Sequence, residues 1–275
     1  MSYSPAVAGA QSNSAAYTTT TTVYDRNYNR AQPYHPERRN MSKKTDTSLI
    51  VYKVLGDEHA EEAIELQIST SFQETLTIGF GIADVPGGTD HQGFSVLLGS
   101  IIADGLSIGA FDTKTGKLVG VCFNKLHSKS ERDNTTPLEE NVEENMKHPA
   151  TLDLMRFIFK IEGSVDLYEL YDAENALEIF YIGVDGRYRR YGIATNLMRT
   201  SIELARKLAR ENGLPEPEIA YGVFTSNYSQ ALGERFDFEW RHSVRYDEYV
   251  CYDGKVASER IGSVHQHCKL GARRI

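Results

Sequence analysis

The residues best suited by type and spacing to do chemistry lie between Leu177 and Leu214. An apolar run, Leu177-Glu178-Ile179-Phe180-Tyr181-Ile182, is rich in β-branched and aromatic side chains and predicts a strand. A turn rich in Gly and Arg follows, ending in Arg189-Arg190-Tyr191-Gly192-Ile193-Ala194, an R-x-x-G-x-A arrangement. A helix comes next, because Ala194, Leu197, Met198, Ile202, Ala205, Leu208 and Ala209 recur on one face. Gly213 and Pro215 stop it. Strand, glycine-bearing turn and helix start make an anion site, since the first helical turn leaves backbone N–H groups unpaired. Gly192 and Ala194 would let a phosphate approach the backbone, and Arg189 and Arg190 supply charge. The dinucleotide fingerprint and the P-loop pattern are both absent. The alternative is an ordinary strand–turn–helix with a solvated basic loop.

The elements around this stretch must hold it in place. With 275 residues the chain allows one domain or two small ones. Its 40% hydrophobic and 25% charged residues describe a soluble protein with ample core material. A net charge of −8 argues against a general nucleic-acid binder and suits a cationic small substrate. Cys122, Cys251 and Cys268 are too few and too scattered for a disulfide framework or a zinc site, and read as reduced thiols of a cytoplasmic protein. No run approaches the roughly 18 apolar residues of a membrane span, and no secretory h-region opens the chain. His265 and His267 suggest a metal pair, but no third ligand is evident, so no metal is expected.

Residues 1–48 are rich in Ser, Thr and Asn, with almost no large aliphatics, and predict a disordered tail. Arg38-Arg39 ahead of Ser42 raises a basic-directed kinase site, against the alternative of chance, and the tail is a candidate for a regulatory partner. Folded structure is expected over 49–275. Leu49–Leu55 reads as a strand and Asp57–Phe72 as a helix capped by Asp57. A glycine-rich loop with Gly79, Gly81, Gly87 and Gly88 comes next, then a helix over about Gly93–Ala103. Leu106–Phe111 and Leu118–Phe123 form a hairpin about Asp112–Lys117. Lys125–Lys147 is polar and reads as a surface excursion, while 149–171 regains helical amphipathicity. Glu218–Phe224 is a strand, Thr225–Ser229 opens a helix, Phe238–Tyr249 is a long strand, and Ile261–Lys269 is the last strand. The order is mixed α/β.

With these motifs the sequence resembles the GNAT acetyltransferases, specifically the insect-type arylalkylamine N-acetyltransferases, from about Leu49 onward. R-x-x-G-x-A after an apolar strand is similar to that superfamily's acetyl-CoA pyrophosphate loop. Asp153-Leu154-Met155 through Tyr171, Thr225–Gln230 with Glu234–Phe238, Tyr246–Tyr249 and Asp253–Val256 resemble further family segments. The resemblance implies an α/β (α+β) fold with a central twisted mixed sheet of about seven strands, splayed at its central strand and flanked by helices. It implies transfer of an acetyl group from acetyl-CoA to a small amine. The segment Tyr181, Ile182, Gly183 and Val184 would pair with the pantetheine arm, and backbone N–H groups from Arg189, Arg190, Tyr191, Gly192, Ile193, Ala194 and Thr195 would take the pyrophosphate.

Gln73-Glu74-Thr75-Leu76 is similar to the family's Asp-Glu-Pro-Leu motif, which gives Glu74 the general-base role. Thr225 and Ser229 fall where the family has two hydroxyl residues near the thiol. Each residue has a structural alternative: Glu74 as a solvated helix-end residue, Thr225 as a helix cap, and Phe72, Phe80, Phe157 and Tyr228 as core and not pocket aromatics. The sequence departs from the family pattern at three places. Thr75 replaces a proline, Arg190 stands where many members have glycine, and Asp237 replaces the glycine of Leu-Gly-Phe. Alternatives to an arylalkylamine enzyme are a polyamine, amino-acid or peptide N-acyltransferase, and a non-catalytic acyl-CoA-binding module.

Overall fold

The computed structural model describes residues 49–132 and 137–275. The Ser/Thr/Asn-rich segment 1–48, with its Arg38-Arg39 motif, lies outside the described residues. Seven strands form one sheet in the order β1-β2-β3-β4-β5-β7-β6: β1 (Ile50–Val54), β2 (Ile108–Asp112), β3 (Leu118–Ser128), β4 (Asn175–Val184), β5 (Ile219–Phe224), β6 (Glu239–Arg245) and β7 (His267–Arg274). All neighbours pair antiparallel except β4 and β5. The expected mixed seven-strand sheet flanked by helices is therefore present.

Both faces of the sheet are covered, which is why β2 and the first half of β3 are buried at every residue and show no alternation. One face carries α1 (Ala60–Ser71), α2 (Thr75–Gly79), α3 (His91–Ala103) and α6 (Pro149–Glu162), packed around Phe80, Phe123 and Phe157. The other carries α8 (Ile193–Glu211), whose buried stripe of Ile193, Leu197, Met198, Ala205, Leu208 and Ala209 lies over Cys122, Leu177 and Ile179. Asn212 ends α8 and Gly213 follows at φ 69°, as the stop signal predicts.

Several expected boundaries are corrected. Asp57 opens a short 3-10 turn, Asp57–His59, instead of capping α1. The expected glycine-rich loop folds into α2 and a second 3-10 turn, Ile82–Asp84, because Leu76, Phe80 and Ile82 are core residues. Lys125–Lys147 is only partly a surface excursion: β3 runs on to Ser128, and α4 (Lys129–Arg132) and α5 (Pro137–Asn145) follow. Leu138, Val142 and Met146 bury themselves from this region. The helical span 149–171 divides at Gly163 into α6 and α7 (Leu167–Tyr171). The helix after β5, α9 (Asn227–Arg235), is capped by Ser226 and not by Thr225. β6 stops at Arg245, and Ile261 belongs to α10 (Ala257–Ile261), so the last strand starts only at His267.

The central feature is the junction of β4 and β5. Their parallel pairing holds for three positions, Ala176 with Ile219, Leu177 with Ala220 and Glu178 with Tyr221. β4 then continues to Val184 paired with β3, and β5 continues to Phe224 paired with β7. A bulge at Phe180, between Ile179 and Tyr181, bends β4 at the point where the strands part. The expected splay is thus in place at Phe180–Val184.

Candidate active site

The parting strands open a cavity of about 910 Å³. Its walls combine β4 from Glu178 to Val184, β5 from Gly222 to Phe224, the C-terminal half of α1, α6 and the start of α8. Beyond Glu178 the β5-facing edge of β4 is without a strand partner, so its backbone groups are open to an extended ligand.

Glu74 lies on this cavity as the N-cap of α2, and not at the end of the preceding helix. Its Oε2 accepts from Leu76 N at 2.7 Å and Thr77 N at 3.1 Å, and its Oε1 accepts from the Thr225 hydroxyl at 2.5 Å. Burial raises its pKa above the ordinary carboxylate value, and those hydrogen bonds oppose the rise without cancelling it. Thr225 is itself fixed from behind, where the buried Tyr246 hydroxyl donates to its carbonyl at 2.6 Å. The hydroxyl of Thr225 therefore orients the carboxylate.

The arginine–glycine loop closes the other end. Gly192 is the N-cap of α8 at φ 79°, and no atom lies within 4 Å of where a Cβ would stand. The first helical bond runs from Asn196 N to the Gly192 carbonyl, which leaves the N–H groups of Ile193, Ala194 and Thr195 without a helical partner. This combination of open space, unpaired donors and a helix N-terminus fits a phosphate. Arg190, in the position where glycine is usual, adopts φ 67°, so the left-handed turn survives with an arginine in it. Asp237 does the same at φ 56°. Arg189 donates to the Gln73 side chain at 2.7 Å, which ties the loop to the residue preceding Glu74.

Tyr181, Ile182, Gly183, Val184, Arg189, Arg190 and Ala194 all line the cavity, together with Glu74, Thr225 and Ser229. Tyr191, Gly192, Ile193 and Thr195 do not: Gly192 caps α8 at the rim, and Ile193 is a core residue under the loop. Ser229 is engaged locally: its Oγ accepts from Ser226 N and donates to the Ser226 carbonyl, both at 3.0 Å. Of the four candidate pocket aromatics, only Tyr228 lines the cavity; Phe80 and Phe157 are core, and Phe72 is exposed. Phe94, Phe180, Tyr181 and Phe224 supply the aromatic walls instead. His265 precedes β7, accepts from Asn227 N at 3.2 Å and packs edge-on against Tyr228. Among the described residues no group of three His, Cys, Asp or Glu is placed to hold a metal ion.

Three cavity contacts escape the sequence patterns: Tyr246 behind Thr225, the Thr70 hydroxyl 2.9 Å from that of Tyr181, and the Glu162–Glu178 pair at the inner end. Only the last left a signal, a single carboxylate inside the apolar run Leu177–Ile182.

Residues 114–238 match the Acetyltransferase (GNAT) family, a span that contains Thr225 and the loop from Arg189 to Thr195 but not Glu74. A search of curated protein sequences finds no match. Among solved structures, the chain is similar to a putative arylalkylamine N-acetyltransferase 7 from the yellow fever mosquito Aedes aegypti, with TM-score 0.65 at 21% identity over 82% of this chain and 87% of that one. A mosquito arylalkylamine N-acetyltransferase like 5b superposes with TM-score 0.67 at 22% identity, covering 82% and 100%. A Drosophila melanogaster polyamine N-acetyltransferase, which forms N-acetylagmatine, gives TM-score 0.63 at 16% identity, covering 82% and 100%. At these identities the likeness speaks to the fold, and the family match adds the loop. The family match is therefore to a GNAT acetyltransferase segment over residues 114–238, on a fold that these solved structures share.

Proposed function

We propose that this protein is an acetyl-CoA-dependent N-acetyltransferase acting on a small amine, of the arylalkylamine or biogenic amine kind, with Glu74 as general base. The observation that carries the reading is the placement of the Glu74 carboxylate. It shares one cavity with the arginine–glycine loop, across the gap where β4 and β5 part. The open edge of β4 from Tyr181 to Val184 suits the amides of the pantetheine arm, and the N–H groups at the start of α8 with Arg189 and Arg190 suit the pyrophosphate. When bound, acetyl-CoA supplies an acyl carbon activated as a thioester.

An alkylammonium with a pKa of about 10 is not a nucleophile, so it must lose a proton before attack. Glu74 accepts that proton, directly or through water, and its raised pKa brings its basicity closer to the task. The nitrogen lone pair then forms the N–C bond, the C–S bond breaks, and the second proton shed by the nitrogen passes to the departing thiolate. Thr225 acts as a positioning residue through its hydrogen bond to Glu74. Ser229 serves the thiolate only once its hydroxyl turns from the Ser226 carbonyl. The net charge of −8 favours capture of cationic substrates over anionic ones.

The test is release of CoA thiol from acetyl-CoA with a panel of phenylethylamine, indolylethylamine, aliphatic amines and amino acids. Turnover confined to amines without a carboxylate supports the reading. Thiol release with none of them would contradict it and favour an acyl-CoA-binding module.

A further inference from the structure

The inner end of the cavity carries an acidic pair that the transfer step does not use. Glu178 is the last β4 residue to pair with β5, so it stands where the wedge closes. It is 2% exposed, and its Oε2 lies 2.7 Å from His127 Nε2. Glu162, the last residue of α6, faces the same carboxylate. Leu154 and Ile158 precede it at four-residue spacing, and all three line the cavity, which therefore follows one face of α6 for about 12 Å at about 1.5 Å per residue. An apolar wall of that length ends in two carboxyl groups.

A second observation comes from α1. Gln67 is 5% exposed and lines the same cavity, yet its side-chain oxygen has no hydrogen-bond partner. A buried acceptor left in that state is costly unless a ligand donor meets it. Burial and the neighbouring Glu178 carboxylate, with Glu139 of α5 adding to them, hold Glu162 well above the ordinary carboxylate range. The other titratable groups facing the pair are His127 of β3, Tyr221 of β5 and Cys268 of β7, with Tyr168 of α7 next to Tyr221. The pair thus favours a protonated form, and an entering cation would favour the charged one.

We infer that the inner cavity is a second recognition site, in which Glu162, Glu178 and Gln67 receive the distal ammonium or guanidinium of a substrate with two basic ends. The inference rests on the acetyl-transfer reading only for the identity of the reacting nitrogen. Arrival of the cation satisfies the Gln67 acceptor and expels the pair's proton to solvent, so binding is linked to the release of about one proton.

The probes are 1,5-diaminopentane and 1-aminopentane, which differ only in the distal nitrogen. Each is titrated calorimetrically into the full chain at neutral pH, in two buffers of different ionisation enthalpy. The diamine should bind at least tenfold more tightly than the monoamine and release close to one proton more. Glu162→Gln should abolish the additional proton, and Glu178→Gln should bring the two affinities to within about threefold. Thermal melts establish that each variant folds, and Gln67→Leu, which should weaken the diamine selectively, replaces either one that does not. Equal wild-type affinities, or an additional proton that persists in Glu162→Gln, would overturn the site. Tight diamine binding without thiol release from any amine would refute the acetyl-transfer reading and leave this site standing. Acetylation of both amines with equal affinities would do the reverse.

Discussion

At Glu74 two opposed effects meet in one carboxylate. Burial raises its pKa, while the α2 N–H groups and the Thr225 hydroxyl stabilise its charged form. A carboxylate of this kind is oriented as well as tuned, because three donors fix where its lone pairs point. Glu162 shows the unopposed case, since burial and a like charge both favour its neutral form. Its folded-state pKa lies above the unfolded one, so its contribution to stability is full below the ordinary carboxyl pKa and is lost as pH rises through the raised value. Urea-unfolding midpoints of the wild type should therefore fall from pH 5 to pH 9, and Glu162→Gln should flatten that decline. An equally steep decline in the variant would show that Glu162 is not the group responsible. Arg190 carries a different cost, since its φ of 67° strains a side-chain-bearing residue by about 1–2 kcal/mol. Arg190→Gly relieves that strain and returns about 0.5–1 kcal/mol in unfolded-chain entropy. The net should be a gain of about 0.5–1 kcal/mol in unfolding free energy, with weaker acetyl-CoA binding by calorimetry as one cation is removed from the loop. Residue-level placements were legible where the residue types are rare in their setting, as in the arginine–glycine loop. They were illegible where a role depends on a distant partner, as Thr225 depends on Glu74 and on Tyr246.

Among the elements, the β4–α8 unit was readable because its signals are local. An apolar strand, a glycine at φ 79° and a sharp 3.6-residue stripe each follow from neighbouring residues. The segment from Lys125 to Lys147 was not readable as core, because three buried residues, Leu138, Val142 and Met146, are spread among acidic ones. The closing strand was misplaced for a related reason. Ile261 extends an apolar pattern by sequence but sits on α10, whose Ala257 and Ile261 approach Gly79 of α2. In the proposed reading, the element that matters most for binding is the start of α8. In Gly192→Val the side chain would enter the open space above the unpaired N–H groups, and a β-branched residue would resist φ 79°. Acetyl-CoA affinity should fall by at least about thirtyfold, equivalent to about 2 kcal/mol, through loss of phosphate hydrogen bonds. Unchanged calorimetric affinity in a folded variant would exclude this loop as the phosphate site.

On the scale of the whole molecule, the proposed reading has one device serve binding and chemistry together. Three paired positions hold β4 to β5, and everything beyond them opens into the cavity. Mixed order and strand count could be anticipated because hairpin turns and the strand–turn–helix unit constrain topology. The placement of Glu74 opposite the α8 loop could not, since it depends on α1 and α2 folding back over β4. The described residues, from Leu49 onward, contain every residue of the proposed site. A chain beginning at Leu49 should therefore fold and retain acetyl transfer at the full-length rate, and loss of transfer in a well-folded chain of that kind would make residues 1–48 part of the catalytic unit.

The central claim is that Glu74 takes the proton from the amine, and the pH dependence of kcat/KM in wild type and Glu74→Gln tests it most directly. Gln keeps the shape and the acceptor that caps α2, but it has no basic carboxylate. The wild-type profile should rise with pH on a limb displaced above the ordinary carboxylate range, in the direction burial shifts Glu74. The variant should lose that limb and at least about a hundredfold in rate, with acetyl-CoA affinity unchanged because the phosphates bind at the far loop. Wild-type turnover with an unaltered pH profile in Glu74→Gln would contradict the account and reduce Glu74 to a helix cap.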